Sequence, residues 1–279
     1  MKNILLILLL TSGLILSQQK DSTESAWRPE FVSKAYISQI AFKDWAKGGS
    51  DSFTWTLIEE FALNKKTEKW DFENELKLAF GRTKSGNEAF RTNNNELYLE
   101  SVFSLNVGWD VDPYISNTLK TQLTEGYNYK VEPAEKIAGF FDPGFITQGL
   151  GFTYDRVKDF KVRCGLALQE VITDKYRSYS DDKDTEDVKE AFKFETGLET
   201  VTSGKVNLAE NIDLKSQLSL FTRFEQIEVW DVRWDSSIIA KVNSFLNINL
   251  NVLLIYEKNQ SLRTQIKEAL QVGIVYNVI

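Results

Sequence analysis

The stretch SFTWTLIEEFALN, residues 52–64, decides the fold because its side chains change character at every second position. One side of the extended chain is apolar, formed by Phe53, Trp55, Leu57, Phe61 and Leu63. The other side is polar, formed by Thr54, Thr56, Glu60 and Asn64. Successive side chains of a β-strand point to opposite faces, so the pattern predicts a strand with one apolar and one polar face.

The same alternation recurs along most of the chain, for example in WDFENELKLAF, residues 70–80, and in NELYLESVFSLNV, residues 95–107. It predicts about twelve strands. Their expected ranges are roughly 34–42, 52–64, 70–82, 94–107, 113–125, 144–155, 160–172, 188–202, 205–221, 227–240, 245–257 and 264–278.

The connections between these strands alternate between short and long. Short ones include KKTEK and a tight turn at Ser203–Gly204, whereas long ones include FKDWAKGGSDS and TDKYRSYSDDKDTEDV. An up-and-down transmembrane β-barrel has short periplasmic turns, longer extracellular loops and an even number of antiparallel strands. The sequence therefore predicts an all-β barrel of this kind, with a soluble secreted β-sandwich binding module as the alternative.

Strand length and aromatic placement favour the membrane barrel. A tilted strand crosses a bilayer in about 9–11 residues, and most of the predicted strands are at least that long. Aromatic residues expected to form girdles at the two interfaces are Trp45, Trp70, Trp109, Tyr114, Trp230, Trp234, Tyr256 and Tyr276. Strict alternation also places Glu59, Glu210 and Glu268 on the apolar face, which runs against this interpretation.

The first residues resemble an export signal. MKNILLILLLTSGLILS, residues 1–17, has one lysine before an apolar run that is too short to span a membrane as a helix. We predict a signal peptide at 1–17, a short periplasmic segment at 18–33 and the barrel at 34–279. The expected location is the outer membrane of a Gram-negative cell, with its lipid as a partner.

The chain contains no histidine and a single cysteine, Cys164, and its formal net charge is −7. Without imidazole, Ser–His–Asp and Cys–His catalysis are excluded, and we expect no enzyme, no cofactor and no metal site. A carboxylate-only hydrolase using Glu73 and Glu75 remains the exception. The acidic balance argues against nucleic acid. Alternation places Cys164 on the apolar face, where we expect it to be buried.

The polar faces of the strands carry charges that would line the barrel lumen. The predicted lumen-lining residues are Glu60, Glu73, Glu75, Lys77, Glu96, Glu100, Lys161 and Arg163. Charged rings can select solutes in a pore, whereas a network of ion pairs can fill a narrow lumen. Both interpretations remain open.

Several short segments resemble a family of uncharacterised exported proteins of Bacteroidetes-type bacteria, known as a domain of unknown function. The segments are Asp44–Gly49, Thr121–Gln122, Gly126–Tyr129, Asp142–Gly144, Gln148–Gly151, Asp231–Trp234 and Gln265–Leu270 with Gly273. The family is thought to consist of outer-membrane β-barrels, so the resemblance implies this fold and location and assigns no catalytic residue.

The family's most recognisable motif falls in the first long loop, at Asp44, Trp45, Gly48 and Gly49. We expect the two glycines to supply the positive φ that a chain reversal needs. The predicted function is a narrow or plugged pore or a passive envelope component, with a small solute or another envelope component left open as its partner. The alternative is a barrel whose outer loops bind a partner protein or polysaccharide.

Overall fold

The computed structural model describes residues 26–43, 49–182, 185, 188–258 and 263–279. The predicted signal peptide at 1–17 and the motif residues Asp44, Trp45 and Gly48 lie outside this part of the chain. In the described part, no helix combines the length and the apolar character needed to cross a membrane.

Twelve antiparallel strands close into a barrel, which confirms the predicted fold. The barrel strands are β1 (Arg28–Ile40), β2 (Ser52–Lys66), β3 (Trp70–Ser85), β4 (Arg91–Leu105), β5 (Asp112–Thr121), β8 (Gly144–Tyr154), β9 (Phe160–Ile172), β10 (Phe192–Ala209), β11 (Ile212–Arg223), β12 (Trp230–Lys241), β13 (Leu246–Tyr256) and β14 (Gln265–Asn277). Strands β6 (Gly126–Asn128) and β7 (Glu135–Ala138) form a separate hairpin, and β14 closes the barrel against β1.

Long and short connections lie at opposite ends of the barrel. The end that we call outer carries the long loops at 41–51, 122–143 and 173–191. The end that we call inner carries the start of β1, the end of β14 and short turns such as 67–69 and 210–211. One outer connection is shorter than the sequence predicts, because β3 and β4 extend until only 86–90 separates them.

The outward face of the barrel is apolar and exposed, as at Leu57, Leu166, Leu270 and Ile274. The inward face is mainly polar, with small buried residues such as Ala79 between the charges. A soluble protein would bury such an apolar surface, whereas a membrane-spanning barrel presents it to lipid. The alternation that predicts the strands therefore also determines which face meets the bilayer.

Outward aromatic residues gather near both ends of the strands. Trp70 and Tyr276 lie near the inner end, and Trp230 and Tyr256 lie near the outer end. Tyr114 does not belong to either girdle, because it points inward and is buried.

Closure of the sheet also corrects the expectation for Cys164, which is exposed on the outward face rather than buried. The apolar face of a closed barrel is its exterior, so a small apolar residue there meets lipid instead of a protein core.

The largest departures from the predicted strand limits are at the start of β1 and at the turn between β10 and β11. Strand β1 begins at Arg28 rather than at residue 34, within the segment expected to precede the barrel. The tight turn expected at Ser203–Gly204 is wrong, because both residues lie inside β10 and the chain reverses at 210–211.

The three acidic residues expected on the apolar face have different surroundings. Glu210 lies in the turn between β10 and β11, so its predicted position on a strand face is wrong. Glu59 does face outward in β2, where its Oε1 accepts a hydrogen bond of 2.9 Å from Ser33 Oγ. Glu268 also faces outward and is exposed in β14.

Candidate functional site in the barrel lumen

The structure places all eight predicted lumen residues on the inward face. Glu73, Glu75, Lys77, Glu96 and Lys161 line a cavity in the inner half of the barrel. Glu60 forms an ion pair with Lys34 on the neighbouring strand, and Glu100 forms one with Arg163. The motif residue Gly49 has φ of +138° and lies in the outer loop, away from this set.

Among the described residues, three ion pairs connect strands that are not neighbours in the barrel, so they cross the lumen. Lys161 of β9 reaches Glu73 of β3 with an Nζ–Oε2 distance of 2.6 Å. Arg163 of β9 binds Glu100 of β4. A third pair crosses from β12 to β4.

The third pair joins Arg233 Nη2 to Glu96 Oε2 at 3.0 Å, and Lys77 Nζ lies 3.7 Å from the other oxygen of the same carboxylate. An outer cavity of about 350 Å³ and an inner cavity of about 560 Å³ are both lined by Glu96 and Arg233. The pair therefore lies between the outer and the inner cavity.

The outer cavity contains charges that the sequence analysis missed. Arg223 contacts Glu195 at 2.6 Å and Asp231 at 2.8 Å, in one largely enclosed cluster. Lys120, Glu199 and Glu257 line the same cavity, and none of the three forms an ion pair within the described part of the chain. The signal for Arg233 was present, since DVRW alternates inward Asp231 and Arg233 with outward Val232 and Trp234.

Two loops at the outer end are held together by one carboxylate. Asp142 Oδ1 accepts a backbone hydrogen bond from Asp174 at 3.0 Å, and its Oδ2 accepts one from Lys175 at 2.8 Å. Tyr176 donates a third to Oδ1 at 3.4 Å. The loops at 122–143 and 173–191 thus form a connected rim around the outer cavity.

The β6–β7 hairpin of this rim carries its own charge contact. Glu125 accepts hydrogen bonds from Lys136 Nζ and from the Tyr127 hydroxyl, both at 2.5 Å. These donors, Lys136 first, hold the pKa of the Glu125 carboxyl below its usual range. Glu125 and Lys136 are exposed and Tyr127 is half-buried, so their contact orders the hairpin surface rather than the lumen.

No group of three or more acidic or cysteine side chains suited to a metal ion occurs among the residues that the structure describes. Glu73, half of the carboxylate pair considered for hydrolysis, is bound to Lys161 instead.

Comparison with known proteins agrees with the family resemblance. Residues 37–127 match the family model described as "Protein of unknown function (DUF3078)". This match confirms the predicted resemblance to a domain of unknown function over that part of the chain. The sequence matched none of the curated proteins with which it was compared.

Solved outer-membrane barrels resemble the structure over most of its length. The translocator domain of autotransporter NalP from Neisseria meningitidis is 10% identical, with a TM-score of 0.39 and coverage of 92% of this chain and 90% of that chain. The COG4313 outer membrane channel from Pseudomonas putida F1 is also 10% identical, with a TM-score of 0.41 and coverage of 93% and 99%. The KdgM porin is 9% identical, with a TM-score of 0.33 and coverage of 88% and 98%.

Proposed function

We propose that the protein is a narrow outer-membrane pore of a Gram-negative cell, which admits small hydrophilic solutes and is constricted by the Glu96–Arg233 pair. The observation that carries this proposal is the position of that pair between the outer and inner cavities. Barrels of about eight strands are filled by side chains and those of about sixteen leave an open channel, so twelve strands suit a restricted lumen.

The lumen presents charges of both signs, because each cross-lumen contact brings a basic residue to an acidic one. A mixed lining favours small polar solutes over large or apolar ones, since only small solutes can exchange water contacts for these groups without separating the pairs. This role is transport rather than catalysis. The partner protein or polysaccharide expected at the outer loops stays a prediction.

Single-channel conductance in planar bilayers tests the proposal. We expect the unmodified protein to conduct weakly and the variant with both Glu96→Ala and Arg233→Ala to conduct several-fold more, because the constriction is removed. Lys136→Gln serves as the matched control, since it removes a charge and an ion pair at the outer hairpin, outside the lumen. Absence of conductance in both the unmodified protein and the double variant would exclude a pore.

A further inference from the structure

The seam between the first and last strands is paired over only part of its height. The ladder between β1 and β14 runs from Val32–Asn277 to Ile37–Val272. Above it, Ser38–Ile40 pair only with β2, and Gln265–Gln271 pair only with β13. Among the described residues, the two strands therefore leave a notch in the outer half of the barrel wall.

Two exposures on β1 agree with a notch. Ser38 alternates with the inward residue Tyr36, yet it is exposed. Ile40, two residues further along the same side of the strand, is also exposed. Backbone amides and carbonyls within a bilayer must find hydrogen-bond partners, and lipid tails offer none. The unpaired edges of β1 and β14 therefore need water or a polar ligand group at this position.

The lower limit of the notch is closed by a close contact. The aromatic ring of Tyr36 covers Gly273, where an added Cβ would lie 2.2 Å from Tyr36 Cδ1. Tyr36 is only 3% exposed, so it seals the wall below the notch. On the lumen side, Gln271 Nε2 donates to Thr56 Oγ1 at 3.2 Å and so passes β1 to reach β2.

Behind the notch lies a cavity of about 440 Å³ that meets both faces of β14. It is lined by the inward residues Lys267 and Gln271 and also by the outward residues Glu268 and Leu270. Tyr36 and Ser38 of β1 line the same cavity. The cavity therefore borders the unpaired edges of both seam strands.

The polar groups in the cavity are not all satisfied. Asn249 is 8% exposed, and its Oδ1 has no hydrogen-bond partner among the described residues. Lys34 is paired with Glu60, and Asp235 accepts a hydrogen bond of 2.7 Å from Asn251. Lys267 forms no ion pair with any residue in the described part of the chain, so one cation in the cavity remains available.

We propose that this notch is a side opening at which a single-chain amphiphile with a carboxylate headgroup, such as a fatty acid, binds from the bilayer. Its headgroup lies at Lys267, and its acyl chain passes beside Leu270 to the apolar exterior. One available cation matches one carboxylate, and a notch bordered by Ser38–Ile40 admits one chain. The proposal does not rest on conduction through the lumen.

Photochemical cross-linking in phosphatidylcholine vesicles tests the proposal, with a diazirine derivative of palmitic acid as the probe. In a Cys164→Ser background, Leu270→Cys and Ile274→Cys are each labelled with a bulky maleimide after the barrel has folded. These positions face outward on the same strand with similar exposure, 62% and 55%, but only Leu270 borders the notch. We expect adducts on the notch residues, lost after labelling at 270 and retained after labelling at 274.

The headgroup is tested with Lys267→Met and with the fatty alcohol that carries the same diazirine chain. Loss of a charge-assisted contact should lower the yield of fatty-acid adducts by about tenfold and leave the yield from the alcohol unchanged. The proposal is overturned if adducts spread evenly around the exterior, if both labels act alike, or if Lys267→Met has no selective effect. Conductance plays no part in these readouts, so this result is independent of the pore.

Discussion

At the scale of single residues, Asp142 shows how one carboxylate can order two loops. It is buried, and its oxygens accept three backbone hydrogen bonds from Asp174, Lys175 and Tyr176. Such loop amides would otherwise depend on water, because no strand supplies their partners. The rim of the outer cavity is therefore fixed by a side chain rather than by a β-ladder.

We expect Asp142→Ala to release the loop at 173–176. Hydrogen bonds to a charged group are worth about 1.5–3 kcal/mol, so deuterium exchange of these amides should accelerate by about tenfold or more. Hydrogen exchange followed by mass spectrometry in detergent measures the change. Asp174→Ala is the matched control, because it removes a neighbouring carboxylate and keeps the backbone donor. Equal exchange in Asp142→Ala and the unmodified protein would contradict the role of this carboxylate.

At the scale of elements, the sequence predicted all twelve barrel strands but misplaced one turn. Apolar residues occupy even positions before and after the turn, as Val206 and Leu214 show. A register shift between Asn207 and Ala209 precedes the turn at 210–211, and the parity continues through it. A turn that keeps apolar residues at even positions does not interrupt the alternating pattern, so the pattern could not locate it. The Ser203–Gly204 pair was therefore the stronger local signal for a turn.

The two glycines of β10 are expected to differ in their tolerance of a side chain. A Cβ on Gly197 would lie 1.9 Å from the carbonyl oxygen of Thr222, whereas the nearest atoms to a Cβ on Gly204 are 3.6 Å away. Gly197→Ala should destabilise the barrel by about 1–3 kcal/mol, because the backbone of β11 must move. Gly204→Ala should be neutral or slightly stabilising. Urea unfolding followed by semi-native gels measures both variants, and equal stabilities would contradict the difference.

At the scale of the whole molecule, the ion pairs across the lumen were the part that sequence could not assign. Alternation predicted that Glu73, Glu96 and Glu100 face inward, but it gave no partner for any of them. Partners on β9 and β12 come close only after the sheet closes, which depends on its curvature and on the register of every ladder. The predicted charged residues and the unpredicted Arg233 therefore come into contact only because the sheet closes into a barrel.

If the ion pairs across the lumen stabilise the barrel, Arg163 and Glu100 should be energetically coupled. Arg163 is 6% exposed and spans from β9 to β4, and its guanidinium lies 5.8 Å from the ring centroid of Tyr114. Removing one partner leaves a buried charge, so Arg163→Met alone should cost about 3–5 kcal/mol. The double variant with Glu100→Gln should be less destabilised than the sum of the single variants, by about 1–3 kcal/mol.

A double-mutant cycle from urea unfolding in vesicles gives this coupling. The exposed Lys136–Glu125 pair of the outer hairpin is the control, with an expected coupling of about 0–1 kcal/mol. The ion pair stabilises the barrel only if its two charges interact energetically. Additivity at Arg163 and Glu100 within about 0.5 kcal/mol would therefore mean that the strands alone hold the cross-section and that the lumen charges are independent of barrel shape.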